Sequence, residues 1–420
     1  MATPRMDKIT QTLFDAEYEH FVHHDTAALT RLDEALMPLF RQHFLRADVP
    51  GVQRRVRSLK ELPPQPAVDS HYLNTYGVRG VMRYPLVDGT VIYKLPVFSF
   101  AMNDWKDHWT AAYLIVGRRT LTLVDPGTHL SEASLRQALE VVGEVYHHPV
   151  RLEDVEHIVI THAHFDHFGG LAFAGPASHA QVWAHEWDAS TIANYADEVQ
   201  QGRERIAGFL RSAGMADDDA GTFMKMHELG KQVFPGYPVD HAFGDGARIV
   251  EDYEVIHAPG HCPGLSCIRV GDILLLGDQV LNNVTPHQFP KIYKSGSGLL
   301  NYLNSLIKVA ARSEGLRLGL PSHYGDIADI EGRVMEIMGE HNQRIADLVK
   351  DLDAPKSLAQ ITSDYFRFRR GRELAGYEQL LALEEIGAHV EYMIETLGVL
   401  RVVNPGEAGG NGVVRYARAT

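Results

Sequence analysis

The sequence predicts an α/β protein, and three observations support that prediction. Short apolar runs that suit buried strands occur at Leu121–Val124, 157–160 and Ile273–Gly277. Apolar residues at helical spacing occur elsewhere, for example between Val334 and Ile345. Side chains that can bind a metal follow several of the strand-like runs directly. Polar side chains at the ends of strands are typical of a sheet whose loops form a functional site.

The most informative strand end is the segment 161–167, which reads Thr-His-Ala-His-Phe-Asp-His. His162, His164, Asp166 and His167 lie within six positions, where regular structure stops and a short loop can aim them at one point. Imidazole and carboxylate are ligands that zinc and similar divalent metals prefer. His162 and His164 could face one metal while Asp166 and His167 face a second. Without a metal, such a cluster at a strand end costs desolvation free energy.

Two metals need more ligands than this loop holds, and three later strand-like runs supply candidates. His261 lies in a turn rich in glycine and proline that follows a strand-like run. Asp278 follows a short buried strand that ends in a glycine, and His323 follows a third apolar run. Since side chains at the ends of neighbouring strands converge at one edge of a sheet, we expect these residues to lie together.

The pattern of His-x-His-x-Asp-His, a Gly-His turn, a Gly-Asp pair and a late histidine resembles the metallo-β-lactamase superfamily over roughly residues 91–330. The resemblance implies an αββα sandwich, in which two mixed sheets pack face to face with helices outside. It also implies a ligand set: His162, His164 and His261 for a first metal, Asp166, His167 and His323 for a second, and Asp278 as the bridge. Asp125 matches the family's buried aspartate beneath the site, which hydrogen-bonds the ligands.

The aspartate at position 278 narrows the chemistry that the resemblance implies. Zinc β-lactamases carry a cysteine or serine there, whereas glyoxalase II, lactonases and tRNA-processing ribonucleases carry an aspartate. Two divalent cations, zinc being expected and iron or manganese also suiting the ligands, would share a water and lower its pKa from about 15.7 towards neutrality. We predict catalytic roles for Asp278 as the bridge and for Asp166, which can orient the nucleophile and move a proton.

Five further residues are weaker candidates. His257 is a candidate for contacts behind the ligands or in the pocket. Tyr195, Tyr293 and Lys294 are candidate substrate contacts, although exposed aromatic and polar loop residues often have no chemical role. Arg369 lies in a basic run that is usually a solvated face, but near a pocket it could bind a carboxylate or a coenzyme A phosphate.

The length of 420 residues predicts two or three folding units. Residues 1–90 are expected to form a helical extension and linker before the catalytic domain, 91–330. That domain contains a helical insert at about 199–234, at a place where related hydrolases cover the pocket. Residues 331–420 are expected to form three helices and a terminal hairpin. Their order resembles the winged-helix-like domain of some metallo-β-lactamase hydrolases.

Composition limits the compartment and the partners. Two cysteines give no disulfide framework, and neither a signal peptide nor a transmembrane stretch is evident, so we expect a cytoplasmic protein without membrane contact. The formal charge of −14 disfavours nucleic acid as a partner. The helix that would enter a groove also carries Glu384, Glu385, Glu391 and Glu395, which phosphates would repel. A small-molecule substrate is expected, and a homodimer is possible.

The function predicted from these residues and the resemblance is hydrolysis of a small-molecule ester, thioester or lactone by a dinuclear metal-dependent enzyme using a metal-bridging hydroxide. Three alternatives remain open at this point. The first is an endoribonuclease like the winged-helix members of the superfamily, which predicts a basic channel. The second is a mononuclear iron dioxygenase for persulfides. The third, a non-catalytic binding role, requires metal loading with no turnover.

Overall fold

The protein is described from a computed structural model. The structure describes residues 80–102, 105–216, 220–221, 236–371, 374, 377–404 and 412–419. The predicted N-terminal helical extension, apart from residues 80–90, and most of the second half of the predicted insert lie outside the described residues.

A seven-stranded sheet opens the described chain, with its strands in sequence order from β1 to β7. Its strands are β1 (Met82–Pro85), β2 (Val91–Met102), β3 (Trp105–Val116), β4 (Leu121–Val124), β5 (His157–Val159), β6 (Gln181–His185) and β7 (His241–Phe243). Strands β1 to β4 pair antiparallel, and β4 to β7 pair parallel. The parallel strands need crossovers, which the helices between them provide.

A second sheet of five strands has the order β12-β11-β10-β9-β8. Its strands are β8 (Arg248–Ile249), β9 (Tyr253–His257), β10 (Ser266–Val270), β11 (Ile273–Gly277) and β12 (Leu318–Pro321). Only β11 and β12 are parallel within this sheet, and the helix Leu299–Ala311 lies between them in the chain.

The two sheets pack face to face, and strand β3 shows why. Its residues Tyr113 and Ile115 join an apolar cluster with residues of the second sheet such as Val255 and Ile268. The alternating residue Leu114 joins a different cluster, which contains the outer helices. Because alternate side chains of a strand point to opposite faces, a strand apolar on both faces is covered on both sides. The αββα sandwich implied by the resemblance is therefore confirmed.

Helices cover the outer faces and bound the functional edge. In chain order they are α1 (Glu132–Tyr146), α2 (Phe165–Phe168), α3 (Leu171–Ser178), α4 (Glu186–Ala193), α5 (Tyr195–Ala213), α6 (Leu299–Ala311), α7 (Ile330–Lys350), α8 (Leu358–Arg370) and α9 (Tyr377–Glu395). Helix α5 ends at Gly214, whose φ of 80° suits glycine at a helix C-terminus.

The C-terminal part contains α7, α8, α9 and a third sheet of three short strands. These are β13 (Lys356–Ser357), β14 (Leu400–Asn404) and β15 (Arg415–Arg418), in the order β13-β15-β14. Helix α9 packs against α8, β14 and also α6 of the sandwich. The three helices and the terminal hairpin lie where the sequence predicts them, whereas strand β13 has no sequence signal because it is only two residues long.

Two boundaries differ from the sequence analysis. Strand β1 precedes residue 91, so the first sheet begins earlier than the predicted catalytic domain. Helix α5 begins at Tyr195, before the predicted start of the insert at 199. Across the part of the chain that the structure describes, no helix is both long and apolar enough to cross a membrane.

Candidate metal centre

The candidate ligands lie at one edge of the sandwich, in loops that follow five strands. Asp125 follows β4, the 161–167 segment follows β5, and His261 lies in the turn after β9. Asp278 and His323 follow β11 and β12. Since β4 and β5 are parallel, as are β11 and β12, their C-terminal ends meet at the same edge. The sheet topology therefore brings together residues that are far apart in the chain.

Three histidines aim nitrogen atoms at one point and form a first group. The Nδ1 atom of His164 lies 3.0 Å from Nε2 of His162 and 3.0 Å from Nε2 of His261. The nearest carboxylate oxygen of Asp278 lies 4.0 Å from Nε2 of His162 and 3.6 Å from Nε2 of His261. These four residues could hold one metal ion.

Asp166, His167 and His323 form a second group that could hold another ion. Oδ2 of Asp166 lies 3.7 Å from Nε2 of His167 and 3.5 Å from Nε2 of His323. Oδ2 of Asp278 lies 3.6 Å and 3.5 Å from the same two nitrogen atoms. Asp278 therefore stands between the two groups, where the sequence analysis places the bridge.

The outer nitrogen of four of these histidines meets an oxygen atom, which directs the other nitrogen inward. His261 Nδ1 lies 2.7 Å from the carbonyl oxygen of His287, and His323 Nδ1 lies 3.2 Å from that of Trp109. His167 Nδ1 lies 2.9 Å from Asp125 Oδ2, and His162 Nδ1 lies 3.1 Å from Thr161 Oγ1. With the outer N–H donating, each inner Nε2 offers a lone pair, as a metal ligand must.

Burial holds the first group neutral. The pKa of His164 is lowered to about 3, mainly by burial and secondly by the neighbouring imidazole of His261. Burial likewise lowers the pKa of His162 well below its ordinary value, and it lowers that of His261. Neutral imidazole is the metal-binding form, so this group could accept a cation without first losing protons.

The carboxylates dominate the second group. Burial opposes protonation of His323, but Asp278 and Asp166 together raise its pKa to about 10. Although burial alone would raise it, His323 and His167 hold the pKa of Asp278 well below its usual range. His167 Nε2 and Asp278 Oδ1 are buried without a hydrogen-bond partner. Carboxylates that stabilise a positive charge at this point, and two buried polar atoms without partners, fit a divalent cation that would take the place of the proton on the inward nitrogen.

Asp125 is buried and ties the ligands to the sheet. Its carboxylate accepts hydrogen bonds from the backbone N–H of Thr161 at 2.8 Å and from the Thr161 hydroxyl at 2.6 Å, in addition to its contact with His167. Thr161 in turn contacts His162. Asp125 thus contacts the second group directly, at His167, and the first group through Thr161, at His162. This is the position beneath the site that the resemblance implies.

Asp188 is a site residue that the sequence analysis missed. It lies in the first turn of α4 and is 1% exposed. Its carboxylate accepts the backbone N–H of Ala163 at 2.9 Å and of Gly264 at 3.0 Å, and the thiol of Cys262 donates to it at 3.3 Å. Ala163 lies between two ligands and Gly264 follows a third, so Asp188 joins both ligand loops.

Gly264 is the one residue of this contact whose identity could have indicated it in the sequence. A Cβ atom at Gly264 would lie 2.4 Å from Cγ of Asp188, so the close approach requires a residue without a side chain. Cys262 belongs to the same contact. Burial, with Asp188 next, raises the pKa of its thiol well above the ordinary value, which fits packing rather than nucleophilic catalysis.

Of the predicted substrate contacts, Tyr195 lies near the second group and Tyr293 lies beside Phe289, next to the first group. Tyr195 is half-buried, its ring lies 5.0 Å from that of Phe168, and burial with Asp166 raises its pKa to about 12. It is therefore a protonated phenol near the second group. Tyr293 packs against Phe289, with ring centroids 5.8 Å apart.

Lys294 and His257 do not contact the ligands in the structure. The ammonium group of Lys294 donates to the Thr191 hydroxyl and lies 3.6 Å from a carboxylate oxygen of Glu198, so it is directed towards α4 and α5. His257 stacks on His185 with ring centroids 3.8 Å apart, and its Nε2 lies 2.8 Å from the carbonyl oxygen of Pro263. It supports the turn that carries His261. The side chain of Arg369 lies outside the described residues.

A third set of possible ligands, His341, Glu385 and His389, lies between α7 and α9. His341 Nδ1 lies 3.0 Å from His389 Nε2. Arg344 already pairs with the Glu385 carboxylate at 2.5 Å, and it also contributes, after burial and His389, to lowering the pKa of His341. A cation would be repelled by this guanidinium, so we interpret the set as a structural network.

Fold and site together define an αββα sandwich with two adjacent groups of metal-type ligands at one edge. Residues 110–316 match the family model of the metallo-beta-lactamase superfamily. These residues therefore form a domain of the metallo-β-lactamase superfamily. The chain is also 23% identical over 312 residues to YqjP of Bacillus subtilis, a probable metallo-hydrolase, covering 70% of this chain and 89% of that protein.

Two solved structures share the fold over most of their length. A metallo-beta-lactamase family protein from Thermus thermophilus is 25% identical with a TM-score of 0.62, covering 78% of this chain and 98% of that chain. A beta-lactamase domain protein from Burkholderia ambifaria is 21% identical with a TM-score of 0.58, covering 80% of this chain and 94% of that chain. The second likeness concerns the fold alone.

Proposed function

We propose that the protein is a hydrolase that uses two divalent metal ions, with zinc as the expected metal, to cleave an ester, thioester or lactone of a small molecule. The observation that supports this most directly is the position of Asp278, whose Oδ2 atom lies within 3.5–4.0 Å of an inward nitrogen from each of four histidines. A carboxylate shared by two ligand groups is what a paired metal site requires.

Bound metal ions would supply an activated water near neutral pH and an electrophile for the substrate oxygen. The chain's own groups do the rest. Asp166 reaches the edge of the second group, where it can orient the attacking water and accept its proton. Tyr195, held protonated by burial and by Asp166, can donate a hydrogen bond near that group. Asp125 and Asp188 hold the ligand loops in place.

The surroundings of the first group support an apolar substrate. The Phe289 ring lies 5.7 Å from that of His164, and behind it Tyr293 packs between Phe289 and the buried ring of Phe209. Lys291 and Lys294, which follow Phe289 in the chain, are paired with Glu395 and Glu198. A neutral acyl or aryl group therefore suits this surface better than a phosphate.

Two observations weigh against the alternatives. Glu384, Glu385 and Glu391 of α9 contact the sandwich of their own chain, so this helix does not present a basic face to RNA. The second ligand group is as completely assembled as the first, which a mononuclear iron dioxygenase would not need.

The test is a substrate panel run on protein with quantified metal content. Thioesters, lactones, aryl esters, phosphodiesters and short RNAs are compared under identical conditions, with oxygen uptake on a persulfide as a separate assay. We expect two ions per chain and hydrolysis of acyl substrates. Cleavage of RNA alone, or one iron per chain with oxygen uptake, would contradict the proposal.

The matched variants are Asp278→Ala and Asp272→Ala. Asp278→Ala should lose both ions and abolish turnover, because both ligand groups lose their shared carboxylate. Asp272 lies on the surface and pairs with Arg317 at 2.9 Å, so removing its carboxylate should leave metal content and rate unchanged. Full activity of Asp278→Ala would exclude its bridging role.

A further inference from the structure

A loop of the sandwich, residues 285–290 between β11 and α6, contacts the first ligand group. The carbonyl oxygen of His287 accepts the hydrogen bond from His261 Nδ1 at 2.7 Å. Phe289, two residues on, places its ring 6.2 Å from that of His261. The loop therefore sets the tautomer and the orientation of one metal ligand, and it forms part of the aromatic surface beside it.

Two consecutive carboxylates of helix α9 hold this loop. The backbone N–H of Gln288 donates to Glu385 Oε2 at 2.7 Å. The ring of His287 places Nε2 3.1 Å from Glu384 Oε2. Glu384 is 4% exposed and Glu385 is 8% exposed, so solvent competes little for either contact.

Glu385 is itself fixed from the other side. Arg344 of α7 pairs with its second oxygen at 2.5 Å; although burial alone would raise the pKa of Glu385, the Arg344 guanidinium and neighbouring groups hold it below its ordinary value. The carboxylate is thus ionised and fully engaged by a guanidinium and a backbone N–H. A continuous series of contacts runs from α7 through Glu385 and Gln288 to the carbonyl that orients His261.

We propose that Glu385, assisted by Glu384, is a positioning residue for the ligand His261, so that the C-terminal helices set the affinity of the first metal position. This inference rests on the proposed metal-dependent function. It assigns the C-terminal part a role in completing the metal centre, and neither carboxylate touches the metal or the substrate.

The decisive comparison uses two double variants that both remove the buried ion pair. Arg344→Met with Glu385→Leu leaves the Gln288 N–H without an acceptor, whereas Arg344→Met with Glu385→Gln keeps an amide oxygen there. Replacing a buried ion pair by apolar side chains is often tolerated by the fold. The two proteins therefore differ chiefly in whether the loop is held.

Metal binding is measured on metal-free protein, by Zn²⁺ competition with a chromophoric chelator and by the visible absorption of bound Co²⁺. We expect the Leu variant to weaken one of two binding steps by about tenfold, the lower end for outer contacts of ligating histidines, and to change the Co²⁺ spectrum. The Gln variant should keep the native affinity and spectrum. Equal behaviour of the two variants, whether native or impaired, would overturn the proposal.

Glu251→Gln is the control, since Glu251 also holds backbone N–H groups but at the opposite end of β4 from Asp125. Its metal affinity should be native. If circular dichroism shows that the Leu variant is unfolded, Glu384→Leu against Glu384→Gln replaces the comparison, and unchanged affinity in both would refute the proposal. These titrations need no substrate, so failure of the acyl-substrate panel and failure of this inference are separate results.

Discussion

Asp188 offers the most direct test of how the fold builds the candidate metal centre. The change Asp188→Ala removes the acceptor of two backbone N–H groups, those of Ala163 and Gly264, in a place that water does not reach. Each buried donor left without a partner costs about 1–3 kcal/mol. The buried charge of Asp188 is itself unfavourable, as its burial-raised pKa shows, so removing it offsets part of this cost. We therefore expect the free energy of unfolding to fall by about 3 kcal/mol.

The measurement is urea unfolding of metal-free protein, followed by tryptophan fluorescence, because bound metal would add its own stabilisation. Asp240→Ala is the matched variant. Asp240 also accepts one backbone N–H, that of Val182 at 2.8 Å, but it is exposed and water can replace it. Its loss should cost less than about 1 kcal/mol. Asp188→Asn, which keeps one acceptor oxygen, should fall between the two.

The metal affinity of these variants provides a second readout. Both loops that Asp188 joins carry ligands of the first group, so Asp188→Ala should weaken metal binding while Asp240→Ala should not. If Asp188→Ala is no less stable than Asp240→Ala, the buried hydrogen bonds of Asp188 do not contribute about 3 kcal/mol to the free energy of unfolding, and the reasoning is refuted.

Two further predictions concern other carboxylates. Asp125→Asn should lower the metal affinity of the second position by about 10- to 100-fold, because an amide replaces the carboxylate partner of His167. The affinity of the first position should fall less. Chelator competition on metal-free protein measures both affinities, and an equal loss at the two positions would contradict the prediction. Burial raises the pKa of Glu251, but the N–H groups of residues 118–120 outweigh it and hold the pKa below 4.5. Its contribution to stability is then full above pH 4.5 and is lost as pH falls through the folded value. The difference in unfolding free energy between the native protein and Glu251→Gln should shrink below that pH, and a difference that grows there would show the opposite sign.

The strands and the candidate ligand residues were readable from the sequence because their signals are local. Apolar runs such as Ile273–Gly277 are long enough to identify a buried strand, and each is followed directly by a polar residue with few structural explanations. Once the strands are parallel, their ends meet at one edge. The order of motifs then indicates which residues converge, without knowledge of any contact.

Lys294 shows what a local pattern leaves out, and its role as a substrate contact stays a prediction. The sequence places it beside Tyr293 on a loop after Asp278, which made it a plausible substrate contact. In the structure its ammonium group turns to Thr191 and Glu198, residues a hundred positions earlier in the chain. A long flexible side chain takes the nearest acceptor in space, and no local pattern records which one that is.

The glutamates of α9 are a second case in which the sequence does not reveal the contact partner. Their spacing disfavours a nucleic-acid face, but it could not show that Glu384 and Glu385 hold a loop of the catalytic sandwich. That depends on how the C-terminal helices dock.

The amino-acid sequence alone indicated the buried strands and the set of side chains suited to metal, and its motif pattern implied the αββα fold, because continuous apolar runs and chemically distinctive residues need no neighbours to be recognised. The contacts that hold those side chains in place became visible only in the folded chain. Asp188, the carbonyl of His287 and Glu385 act through backbone groups that every residue possesses, and such groups become specific only when the folded chain brings a partner within hydrogen-bonding distance.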